Sequence, residues 1–234
     1  MELLVATRSA GKMAEIRRLL SGVPGLRLTD LDELGLPPDR TEDELEAFST
    51  FEENALAKAE HFFRRAGVPT VADDSGLEVD ALGGAPGVRS KRFAPERALE
   101  GAALDHANSR HLVAKLADVD PDARTARYVC VAVLVDGDNP PLRFRGEAEG
   151  RIVLEPRGRG GFGYDPHVLD PGLGRTFAEM SPGEKDRHSH RGKAFRALAT
   201  KLRKTLGAPP ILGALPILGV LSILGALPTL SALP

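Results

Sequence analysis

Val71-Ala72-Asp73-Asp74-Ser75-Gly76-Leu77 is the stretch around which the chain is organised. An apolar run from Val68 to Ala72, interrupted by Pro69, ends in two carboxylates, a hydroxyl and a glycine. Leu77-Glu78-Val79-Asp80-Ala81-Leu82 then resumes the alternation of a strand. A strand ending in Asp-Asp puts negative charge at a sheet rim, where α/β proteins hold ligands. Successive strand side chains point to opposite faces, so both carboxylates meet one ligand only if the chain bends. Gly76 permits that bend. Hard oxygen donors there suit Mg²⁺, and Mg²⁺ suits phosphates. The competing reading is an Asp-Ser-Gly turn closing a hairpin, its carboxylates solvated.

Upstream, Glu2 to Ala6 reads as a first strand. Thr7-Arg8-Ser9-Ala10-Gly11-Lys12 leads into a helix with Met13, Ile16, Leu19 and Leu20 at helical spacing. Leu26 to Leu31 reads as a second strand. Thr50-Phe51-Glu52-Glu53 is a capping-box pattern. It opens a helix carrying Phe51, Ala55, Ala59, Phe62 and Phe63, which stops before Gly67. Downstream, Pro95 to Leu116 reads mostly as helix, weakened by Gly101. Arg124 to Val135 and Leu142 to Leu154 read as paired strands. Ser189 caps a last helix with Phe195, Leu198, Leu202 and Leu206 as its buried stripe. This order predicts an α/β fold, a mixed central sheet flanked by helices.

The 234 residues suffice for a sizeable core, and the net charge of −2 gives no basic field to attract nucleic acid or an anionic membrane. Cys130 is the single cysteine, so no intramolecular disulfide forms, and a reducing, cytoplasmic setting fits. The opening residues lack the basic region of a signal peptide. From Ile211 the chain parses into the hexads ILGALP, ILGVLS, ILGALP and TLSALP. That run is apolar enough to span a bilayer, but Pro216 and Pro228 fall inside it. The expectation is a domain over 1–206 and a low-complexity tail over 207–234, without a catalytic role and with membrane insertion the minority reading.

Several segments could carry chemistry. Thr7 to Lys12 joins a strand to a helix N-terminus, whose free amides with two hydroxyls and a lysine make a phosphate cradle. It is not a Walker loop, because Met13 stands where that motif has Ser or Thr. The plainer reading is a turn with a capping serine. Glu42, Asp43, Glu44 and Glu46 form an acidic run that could add a second oxygen ligand beside Asp74. Lys58 is a phosphate contact or an exposed helix residue. In Arg159 to Pro166, glycines alternate with Phe162 and Tyr164. Such a loop lets a ring stack on a base, or packs both rings into the core. Lys185, His188, His190 and Arg191 gather donors around a helix start, suited to an anion or a carbonyl oxygen; the plainer reading is a basic surface loop. Zinc is a poor fit, because no matched Cys or His pair exists elsewhere.

Together, ATRSAGK (6–12), TFEENALAKA (50–59), ADDSGLEVDALGGAPGVRS (72–90), GGFGYDP (160–166) and TFAEMSPGEKDRHSHRGKA (176–194) resemble the inosine triphosphate pyrophosphatase family over about residues 1–206. The resemblance implies Mg²⁺-dependent hydrolysis of ITP, dITP or XTP to the monophosphate and pyrophosphate. It also implies an elongated, two-lobed α/β protein with a cleft, usually a homodimer. It makes Asp74 the acceptor of a proton from the attacking water and, with Glu46, a metal ligand. It assigns Thr7, Arg8, Ser9, Ala10, Gly11 and Lys12 to the triphosphate, with help from Lys58, and makes Ser75 a substrate contact. Phe162, Gly163, Tyr164 and Asp165 fall at the nucleoside, with Phe162 stacking on the base. Lys185, His190 and Arg191 fall at the purine and its 6-oxo group. Two departures stand out: Ser9 replaces the family's usual Asn, and Glu46-Ala47-Phe48-Ser49 replaces its Glu-Thr-Gly. The second leaves Glu44 as the alternative metal ligand. A pyrophosphatase for pyrimidine or modified nucleotides, and a nucleotide sensor without turnover, are the other readings.

Overall fold

The computed structural model describes residues 1–207, apart from 97, 138 and the side chain at 43. Strand β1 (Glu2–Val5) leads into helix α1 (Ala10–Leu20), and β2 (Arg27–Thr29) returns parallel to β1. Helix α2 (Phe51–Ala66) begins where the Thr50 hydroxyl accepts from Glu53 N. It ends at Gly67, whose φ of 67° is the left-handed conformation that glycine adopts without strain. Strand β3 (Thr70–Val79), helix α3 (Gly101–Lys115) and strands β4 (Thr125–Val135) and β5 (Leu142–Ile152) follow. Two short strands, β6 (Val168–Asp170) and β7 (Arg175–Thr176), precede α4 (Pro182–His188) and α5 (His190–Gly207).

The strands form one seven-stranded sheet in the order β2-β1-β3-β4-β5-β6-β7. β1 pairs parallel with β2 and β3, and the remaining pairs are antiparallel. This is the mixed, helix-flanked sheet expected from the sequence. On one face, α1 and α5 bury Ile16, Leu20, Phe195 and Leu198 against Val71, Cys130 and Ala132. On the other, α2 buries Phe51, Ala55 and Phe62 against Ala72, Val129 and Val131. A third core gathers Leu77, Val79, Leu112, Tyr128, Ile152 and Phe177 at the far ends of the long strands. Each fully buried Leu, Ile or Phe contributes about 1.5–3 kcal/mol. The chain thus has two lobes that share β3, β4 and β5.

The central stretch differs from its sequence reading. β3 does not stop at Asp73-Asp74 but continues to Val79, and no Asp-Ser-Gly turn forms. β4 supports it throughout, from Thr70↔Val135 to Val79↔Ala126. The rim is made by β1, which pairs with β3 only at Thr70 and Val71 and then ends. The carboxylates therefore lie mid-strand, just past the last parallel pair. Gly76 does not bend the chain. It makes room, since a Cβ there would overlap Gly87 O and Ser90 Oγ.

Other boundaries shift too. α3 starts at Gly101 rather than Pro95, because Gly101 has a φ of 55° and cannot sit inside a regular helix. β6, β7 and α4 were too short to show a period. Gly207 closes α5, and the rest of the expected tail lies outside the described residues. No helix among the described residues is long and apolar enough to cross a membrane.

Candidate active site

Asp73 and Asp74 are both buried, and alternation sends them to opposite faces of β3. A buried carboxylate must be paired, and each face supplies its own cations. On the α2 face, Asp74 Oδ1 meets Lys58 Nζ at 3.0 Å, and Asn54 Nδ2 donates to Asp74 Oδ2 at 3.0 Å. The same ammonium reaches Glu46 Oε1 at 3.3 Å, while Arg92 Nη2 lies 2.6 Å from Glu46 Oε2. Burial pushes the Glu46 carboxyl up, but Lys58, Lys12, Arg92 and Lys91 together outweigh it and hold it at about 2.

On the α1/α5 face, Asp73 Oδ2 takes Lys12 Nζ at 3.1 Å and Arg191 at 3.4 Å. The Cys130 thiol points at the same oxygen, 3.7 Å away. Burial opposes the charge on Asp73, and Lys12 and Arg191 more than offset it, so its pKa falls. Asp73 Oδ1 is buried with no hydrogen-bond partner among the described residues. Arg191 also donates to Glu15 at 2.6 Å and to Ser75 Oγ at 2.7 Å. Lys185 Nζ joins Glu15 at 2.8 Å and Asp165 at 2.6 Å. Glu15, Asp73 and Asp165 thereby fix the aim of two cationic side chains beside Lys12.

The Thr7–Lys12 segment follows the end of β1, and Ser9 is the helix cap, its hydroxyl accepting from Lys12 N at 3.3 Å. Gly11 opens the first turn of α1 to Phe162, whose ring carbon would lie 2.9 Å from a Cβ at that position. Lys185 Nζ stands 4.7 Å from the centre of the same ring, and Arg191 stands 5.8 Å away. The Phe162 loop is pinned from below. Asp105 accepts from Gly163 N at 3.0 Å, and Asp165 accepts from Phe162 N at 2.9 Å.

Not every expected residue points into this space. Arg8 is drawn aside to Glu42 at 2.8 Å and Asp32 at 3.7 Å. The Tyr164 ring is core, its hydroxyl donating to Ser90 O at 2.7 Å, so only its backbone adjoins the loop. His190 is buried and stacked on Tyr128, with ring centres 4.6 Å apart. Burial first, then Arg191 and Lys185, push its pKa well below the usual value and keep it neutral. His188 lies apart, 3.9 Å from Asp170. Glu44 is exposed, whereas Glu46 shares Lys58 with Asp74.

Glu46 and Asp74 thus converge on one cation, the Lys58 ammonium. Among the described residues no three His, Cys, Asp or Glu side chains gather as a metal cage. A carboxylate pair is the donor set Mg²⁺ uses when substrate phosphates and water supply its remaining ligands. The residues present fit that ion.

The Ham1 family profile matches residues 3–201. The chain belongs to the Ham1 family. It is 46% identical over 206 residues to the dITP/XTP pyrophosphatase of Frankia alni, covering 88% of this chain and 99% of that protein. It is 48% identical over 203 residues to the dITP/XTP pyrophosphatase of Mycolicibacterium paratuberculosis, covering 86% of this chain and 95% of that one. The solved structure of a HAM1 protein from Coxiella burnetii superimposes with a TM-score of 0.75 at 38% identity, over 87% of this chain and 99% of that chain. Four site residues of this Ham1 chain escaped the sequence reading: Glu15, Asn54, Asp73 as a hub, and Arg92. Asn54 carried a readable signal. With Lys58 it falls on the i, i+3, i+4 stripe that otherwise holds Phe51, Ala55, Ala59 and Phe62.

Proposed function

We propose that the chain hydrolyses non-standard purine nucleoside triphosphates (ITP, dITP and XTP) to the monophosphate and pyrophosphate, with Mg²⁺ held by Glu46 and Asp74. The observation that carries this reading is the meeting, at the middle of β3, of a carboxylate pair, a lysine-bearing helix start and a braced set of donors around an exposed ring. The names of the relatives point the same way.

In this reading Asp74 accepts a proton from the attacking water, and Asn54 and Lys58 fix its orientation. Lys12 and the amides of Thr7 to Lys12 hold the phosphates and offset the carboxylates that would otherwise repel them. Bound Mg²⁺ supplies positive charge to the phosphate oxygens and favours ionisation of the water. Phe162 stacks on the base. Lys185 and Arg191 aim donors at a 6-oxo acceptor. An adenine amino group would set its own donor against the N–H groups that Glu15, Asp73 and Asp165 leave free, which disfavours ATP. A homodimer in the cytoplasm accompanies the reading as an implication of the family resemblance.

The test is pyrophosphate release from ITP, dITP, XTP, ATP and GTP with Mg²⁺. Oxo-purine triphosphates are expected to lead, and absence of release from all five would refute the activity. Asp74→Asn should lower the rate by about 10²–10⁴-fold with an unchanged circular dichroism spectrum. Full activity in that variant would remove Asp74 from its role.

A further inference from the structure

We propose that Arg92 is a further triphosphate-binding residue, one that leaves Glu46 when Glu46 takes up the metal. The proposal rests on the pyrophosphatase reading and deepens it. Both oxygens of Glu46 are engaged by cations, Oε1 by Lys58 at 3.3 Å and Oε2 by Arg92 at 2.6 Å. A metal ion on Glu46 would add a further positive charge beside both cations, which favours release of the less firmly held one. Lys58 is the poor candidate. Its side chain is 11% exposed, and it is tied to Asp74 as well. The Arg92 side chain is 46% exposed and pairs with Glu46 alone among the described residues. Ion pairs so open to solvent are weak, and water readily takes their place.

Its anchorage favours the same assignment. Arg92 ends the 3-10 segment Gly87–Arg92. That segment is fixed to β3 by Ser90 Oγ, which accepts from Leu77 N at 2.8 Å and donates to Gly87 O at 2.7 Å. The base of the side chain is therefore held while its guanidinium is free to swing. Beside it lies a cavity of about 440 Å³, lined by Arg89, Phe93, His111 and Lys115 among others and, among the described residues, by no carboxylate. A guanidinium leaving Glu46 finds room there but no second acid. The acceptor that suits its planar fork is a phosphate oxygen, which a nucleotide would bring to the metal on Glu46.

The prediction has opposite signs for the two ligands. In the full chain carrying Arg92→Gln, Mn²⁺ binding without nucleotide, followed by electron paramagnetic resonance, should tighten, because a competitor for Glu46 is gone. Affinity for inorganic tripolyphosphate in the presence of Mg²⁺, measured by calorimetry, should fall about tenfold or more. KM for ITP should rise alongside it while kcat stays near the wild-type value, and Arg92→Lys should restore part of the loss. Weaker Mn²⁺ binding would mean that Arg92 merely props Glu46, and unchanged tripolyphosphate affinity would remove it from the phosphates. Either result overturns the proposal. Absence of turnover in the wild-type chain would instead sink the pyrophosphatase reading, since neither binding measurement needs catalysis.

Discussion

Asp73 and Asp74 differ by one position and serve opposite faces of the sheet, each with its own lysine. The sequence reading offered both carboxylates to one ligand at a bend, and the family resemblance then weighted Asp74, because a single chain shows adjacency and not which cations will fold against each side. What could be read was misplaced polarity. Asn54 and Lys58 stand on an apolar helix stripe, and Glu15 stands beside Ile16 in another. A charged group on a core-facing stripe has to find a partner, and these did. His190 carries a testable consequence. Its folded-state pKa is depressed below 6.5, so the native protein refuses a proton that the unfolded chain accepts. Its contribution to stability is complete above that value and is lost as pH falls below it, at a slope approaching about 1.4 kcal/mol per pH unit. Urea midpoints at about pH 7.5 and about pH 5.5 should separate for the wild type. His190→Phe, which keeps a ring against Tyr128 and has no proton to gain, should narrow the gap.

Helices with a full stripe and a cap were legible. Thr50, the Phe51 to Phe62 stripe and Gly67 bound α2 as expected. β3 was misjudged because hydrophobicity stopped at Ala72, while β4, paired along β3's whole length, and the 85–90 segment, bonded to Leu77 and Val79, keep the polar half extended. β6, β7 and α4 are two to seven residues long, below the window in which periodicity has meaning. Gly76 belongs to β3 for reasons of packing, which gives a second prediction. Gly76→Ala forces a methyl onto Gly87 O, Ser90 Oγ and Phe51. The neighbours include backbone and cannot simply rotate away. Overpacking of this kind costs about 1–3 kcal/mol, read as a lower urea midpoint. Because Ser90 anchors the segment bearing Arg92, the same variant should also bind tripolyphosphate more weakly.

The three cores meet where the site lies, and this arrangement was the part of the chain least available to sequence reasoning. The mixed sheet followed from the element order. The joining of two lobes through shared strands depends on pairings up to 65 residues apart, such as Thr70 with Val135, that no local pattern encodes. The last described helix closes the first core with Phe195, Leu198 and Leu202, and Leu206 packs at its edge. A fragment ending at Gly207 therefore retains every side chain assigned to the site. It should match the full chain in pyrophosphate release and in urea midpoint, and a loss of either would give the hexad segment a part in the enzyme.

β4 and β5 each run for eleven residues through both lobes. Their length, about 36 Å at the usual rise per residue, is unbroken ribbon rather than linker. Any approach of the two ends onto a nucleotide must flex that ribbon elastically. A closing motion would load it as a leaf spring.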